Sequence, residues 1–168
     1  TNDEDALYLS SDFFYYIYED CISLVFAVHG NYDMDSFQIW NLDMETGEVV
    51  SNSDILAMSN ATESSIAEAG TVACTNYINH AADWGEGYEP LIVDGALNPN
   101  SPMYDDYMLR LYDETFSIYN IHDGMSVGID SEGTLFFTSD VMSFGGADFY
   151  MRLYNYDGIS LANMYSLS

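Results

Sequence analysis

Lysine does not occur in this chain, and arginine occurs only as Arg110 and Arg152, against 28 acidic residues and a formal net charge of -26. Without clustered cations a surface cannot neutralise phosphates, so nucleic acid and anionic membranes are disfavoured and not expected as partners. A basic protein, a polycation or divalent metal ions fit the charge instead. No apolar run approaches the roughly 18 residues of a membrane span, and no basic-then-apolar leader is present, so direct membrane insertion is not expected. The three prolines all fall in WGEGYEPLIVDGALNPNSP, which predicts a surface loop over residues 85–102. Two cysteines, Cys21 and Cys74, are too few for a framework and leave open both one disulfide and two buried thiols.

The same scarcity holds for chemistry. His29, His80 and His122 are far apart, and neither cysteine sits in a Cys-x-x-Cys pair, so no structural metal is expected. No G-x-S-x-G elbow or comparable signature occurs, and with 28 carboxylates a close acidic pair carries no weight. The chain therefore reads as noncatalytic and without a cofactor, a cell-wall enzyme being the weakest of the functional readings. Asn31, Asp33 and Asp35 have the spacing that opens a calcium loop, but Ser36 and Leu42 stand where its glycine and closing glutamate belong.

What the chain does have is apolar and aromatic substance. It is 48% hydrophobic, with 15 Tyr, 9 Phe and 2 Trp, which separates it from acidic disordered chains and predicts a folded core under an acidic coat. The length suits one domain, placed at residues 13–168 after a linker or trimmed N-terminus at 1–12.

The stretch CISLVFAVHG puts Ile22, Leu24, Phe26 and Val28 on one face and is nearly apolar on the other, the pattern of an interior strand. The segment around Phe37 to Leu42 alternates, and Asp43 to Gly47 supplies a tight turn. From Asn60, read as a helix cap with Glu63 completing the box, Ile66, Gly70, Ala73, Tyr77, Ala81 and Trp84 recur at helical spacing. Strand-like runs at 116–120, 125–130 and 134–139 follow. The order predicts an α+β fold, an antiparallel sheet with one long helix packed across a face.

Arg110 and Arg152 both lie in the tripeptide Arg-Leu-Tyr, within apolar and tyrosine-rich runs. A guanidinium there needs a carboxylate or an aromatic face, so both arginines are expected as partly buried structural clamps. Tyr15, Tyr16 and Tyr18, from the aromatic cluster that begins at Phe13, and Trp84 and Tyr88 are the candidate partner-binding residues. Asn60-Ala61-Thr62 is a glycosylation sequon, relevant only if the source glycosylates exported proteins.

Ile22 to Val28, Asn41 to Asp43, Thr46 to Gly47, Ser53 to Leu56 and the helix from Ala61 to Asp83 follow one another in a suggestive order. In that succession the chain resembles the extracellular domain shared by the anti-sigma factor RsiV and the peptidoglycan deacetylase PdaC of Gram-positive bacteria. The resemblance covers about residues 22–84 and, faintly, 104–150. It implies a noncatalytic binding or sensor domain at the cell surface, anchored through a segment outside this chain, as in a lipoprotein or an anti-sigma factor. One member of that family binds lysozyme, so a basic protein is the implied partner. The chain has GNYDMD where the family has a Gly-Ala-His phrase, so no site residue is carried over. The alternative is a strongly acidic structural or salt-adapted surface subunit with no specific ligand.

Overall fold

The first hairpin shows how closely the pattern of side chains sets the architecture. In the computed structural model, which describes residues 9–30, 36–81, 89–115, 125–142, 149–158 and 161, strand β1 (Leu9–Tyr18) turns through Glu19 and Asp20 into β2 (Cys21–Gly30). Strand β3 (Ser36–Asp43) completes an antiparallel sheet of order β1-β2-β3. Strand β1 begins at Leu9, four residues before the expected boundary.

The Asp43 turn is built by its own side chain. Oδ1 accepts from the backbone N–H of Glu45 and Thr46 and from the Thr46 hydroxyl, while Gly47 takes a φ of 73°. Helix α1 (Asn52–Met58) follows, capped by Ser51 on the Asp54 N–H. Asn60 stands at φ 57° and its N–H donates to Ala57 O, so it ends α1 instead of starting the next helix. The cap of α2 (Glu63–Ala81) is Thr62, whose Oγ1 accepts from Ser65 N–H while Ser65 Oγ accepts from Thr62 N–H. Ile66, Ala69, Ala73, Cys74 and Ile78 are its buried stripe.

Within the expected loop a small hairpin forms, β4 (Ile92–Val93) and β5 (Ala96–Leu97), on Asp94 and Gly95, both at positive φ. Asn79 on α2 holds it by donating to Ile92 O and accepting from Ile92 N–H. Helix α3 (Asp106–Thr115) seats Met108 against Ile78, Leu91 and Ile92. Strands β6 (Ser126–Ile129), β7 (Leu135–Met142) and β8 (Phe149–Asn155) form the second antiparallel sheet.

Three layers result. The inner face of the first sheet, with Val25, Ala27, Phe37 and Ile39, packs on Phe136 and Leu153 of the second. The opposite face of the second sheet, with Val127, Ile129, Leu135, Phe137 and Tyr154, packs on α1 and α2. The fold is α+β, with one long helix across a sheet, and a second sheet lies beneath that one. The Phe136 ring lies across Gly128 on the neighbouring strand, where a Cβ would overlap it.

The polar join between the layers is made by amides. Among the described residues the edge of β6 has no neighbouring strand on one side, and three side chains take a strand's place. Asn41 Nδ2 donates to Val127 O at 2.7 Å, and Ser23 Oγ accepts from Ile129 N–H at 3.0 Å and donates to Asn41 Oδ1 at 2.7 Å. Asn52 accepts from Val127 N–H and donates to Met125 O. Ser23 and Asn41 are buried, so these bonds satisfy groups that water does not reach.

The burial expected of Arg110 is a correction. Arg110 is exposed on α3 instead of partly buried, because Met108 and Tyr112 occupy the packed face and Arg110, two residues from each, lies on the other side of the helix. The backbone of Arg152 lies on β8 opposite Ser139, and its side chain is outside the described residues. One Arg-Leu-Tyr is helical and the other is a strand, so the shared tripeptide has no shared structural cause.

Candidate functional site

The outer face of the β1-β2-β3 sheet is the most unusual surface of the molecule. Cross-strand register places Phe13, Phe26 and Gln38 in one row, Tyr15, Leu24 and Trp40 in the next, and Ile17, Ile22 and Leu42 in a third. In a chain with 28 acids, no position on this face between Leu9 and Ile17, Ile22 and Val28, or Ser36 and Leu42 carries a charge. Phe13 is 59% exposed, Tyr15 56%, Phe26 38% and Trp40 55%. At about 200 Å² per aromatic side chain those fractions leave on the order of 400 Å² open, before Leu9, Ile17 and Val28 are added. Open apolar surface of this extent marks an interaction site more often than a monomer's ordinary exterior.

The rings also hold one another in place. Phe13 and Phe26 have centroids 6.2 Å apart, and Phe26 and Trp40 5.1 Å, a tilted series across all three strands. Rings fixed on strands lose little rotamer freedom on binding, which makes them efficient contact residues. Beside Trp40 a pocket of about 450 Å³ opens between Ile39 to Leu42 and Val49 to Asn52. The acids stand at the margins: Glu19 and Asp20 are exposed in the hairpin turn, and Glu45 and Glu48 near the end of β3.

Of the candidate contact residues, Tyr15 is on this face. Tyr16 and Tyr18 are not, since neighbours along a strand point to opposite sides. Tyr16 packs edge-on against Phe136 with centroids 5.3 Å apart, and Tyr18 covers Gly133 and the central core. Trp84 and Tyr88 lie outside the described residues, as do Asn31, Asp33 and Asp35 and the strand expected at 116–120. Phe26 and Trp40 are exposed aromatic residues of this face that sequence reasoning did not single out. The signal was present in CISLVFAVHG, where both faces are apolar. An interior strand of a sheet was the right reading, but the buried face is that of Cys21, Ser23, Val25 and Ala27, and the more apolar face is open.

Among the described residues, Cys21, Asp43 and Cys74 have shifted titrations. Cys21 and Cys74 are both free and buried, and burial pushes the Cys74 thiol up to about 11 despite its contact with Ser139 Oγ at 3.8 Å. Burial, with the Asp43 carboxylate as a smaller cause, also raises Cys21. Asp43 is held below its usual range, first by the Thr46 N–H, then by the Thr46 hydroxyl and the Glu45 N–H. Among the described residues no group of three histidine, cysteine or acidic side chains is arranged for a metal ion, and no described helix is long and apolar enough to cross a membrane. Compared with known protein families, curated proteins and solved structures, the chain matches none.

Proposed function

We propose that this chain is a noncatalytic extracellular binding domain of a bacterial surface protein, capturing a basic protein on the outer face of its first sheet. The observation that carries the proposal is the charge-free aromatic face, with Phe13, Tyr15, Phe26 and Trp40 open, in a chain of net charge -26. Long-range attraction between an acidic domain and a cationic partner raises the encounter rate. Affinity then comes from a desolvated aromatic centre inside a polar rim. The resemblance in Ile22 to Val28 and Asn41 to Gly47 makes lysozyme the first candidate and the exterior of a Gram-positive cell the implied location.

The test is calorimetry at about 0.15 M salt, where screening shortens to about 8 Å, with lysozyme beside the equally basic cytochrome c. Tighter binding of lysozyme is expected. Equal affinities, or no lysozyme binding, would return the molecule to the reading of an acidic or salt-adapted coat without a specific ligand.

A further inference from the structure

The first hairpin has only Glu19 and Asp20 between the paired residues Tyr18 and Cys21, so that pair is hydrogen-bonded. Alternation gives the remaining ladder bonds of β1 to Tyr16, Phe14, Asp12 and Ser10. The amides and carbonyls of Leu9, Ser11, Phe13, Tyr15 and Ile17 therefore point away from β2, along the outer edge of the sheet. Among the described residues the one bond to these groups is from Phe13 N–H to the Asp12 carboxylate, at 2.7 Å. Free edges of this length, ten residues, are usually blunted by lysine, proline or a bulge. Strand β1 has neither residue and pairs with β2 in unbroken register.

We propose that the free edge of β1 is a strand-addition site for an extended, basic segment of a partner, in which lysine or arginine alternates with apolar residues. The proposal rests on the binding reading above and adds its mode. Side chains of an added strand alternate between faces. One set extends the apolar rows of Phe13, Tyr15 and Ile17. The other falls on the side of Asp12, an exposed carboxylate midway along the edge. Charge selects the occupant: a net charge of -26 disfavours acidic segments and a second copy of this chain, and the lone charge on the edge strand is negative.

The probe is a labelled ten-residue peptide of alternating lysine and valine, followed by fluorescence anisotropy at about 0.15 M salt. It is compared with the same peptide N-methylated at every backbone nitrogen, which keeps the charges and removes the donors. On the protein, Ser11→Pro deletes an outward N–H and no ladder bond. At least tenfold weaker binding is expected from either change. Equal binding of the two peptides, or no binding of the unmethylated one, overturns the proposal. If Ser11→Pro does not fold by circular dichroism, the methylated peptide decides alone. Lysozyme bound equally by the parent and a folded Ser11→Pro variant would leave the face reading intact and remove the edge from it.

Discussion

Asn41→Ala should be among the most damaging single substitutions in this domain. Asn41 is 4% exposed, and its amide is the donor to Val127 O and the acceptor from Ser23 Oγ, both at 2.7 Å. Alanine leaves that carbonyl without its donor and the Ser23 hydroxyl proton without its acceptor, in a space water does not enter. Each stranded group costs about 1–3 kcal/mol, so a loss of roughly 2–5 kcal/mol is expected. Against a total stability of about 5–15 kcal/mol that is a large fraction. Urea denaturation followed by circular dichroism measures it. Ser23→Ala strands Ile129 N–H and leaves Asn41 Oδ1 without its donor, and should likewise cost roughly 2–5 kcal/mol. Because the two residues share one network, the double variant should depart from additivity by at least about 0.5 kcal/mol. A loss under about 0.5 kcal/mol for Asn41→Ala would refute the view that side chains standing in for a strand join the two sheets.

Arg110→Ala, by contrast, should change stability by no more than about 1 kcal/mol, the range of exposed ion pairs, and a loss near 3 kcal/mol in the same urea assay would restore the buried clamp. Cys74, with its thiol at about 11 and its side chain buried, should resist iodoacetamide at about pH 8 until the protein is unfolded; rapid alkylation of the native protein would contradict the packing. For Asp43 the folded pKa is the depressed one, so the turn's contribution is complete above the unfolded value of about 3.9 and is lost as pH falls through the lower folded value. The stability gap between parent and Asp43→Ala should thus shrink in acid, and an NMR titration placing Asp43 at or above the ordinary carboxylate value would refute the turn account.

The elements legible in the sequence were those whose signals are local. The Asp43 turn, the long helix and the alternating strands follow from residues close together in the chain. Asn60 misled because asparagine serves both a helix start and a left-handed helix stop, and only the partners of its N–H, not its identity, separate the two. The Asp94-Gly95 hairpin was readable from Asp-Gly between apolar pairs, but the surrounding prolines drew it into a loop. Arg110 was misplaced because its apolar neighbours were read as its environment, whereas helical spacing separates Arg110 from Met108 and Tyr112. CISLVFAVHG carries the signal of a second apolar face but does not say which of the two is open. Alternation identifies two faces, and when both are apolar, only the position of the second sheet decides which one is covered.

The most direct test of the capture surface is a calorimetric titration of lysozyme into the parent, Trp40→Ala and Glu45→Gln proteins at about 0.15 M salt. Trp40 is half exposed at the β3 end of the aromatic series, and Glu45 is one exposed acid at the margin. If the outer face is the contact surface, Trp40→Ala weakens binding at least tenfold, about 1.4 kcal/mol, while Glu45→Gln changes it little. Parent-like binding by a folded Trp40→Ala protein would contradict the account.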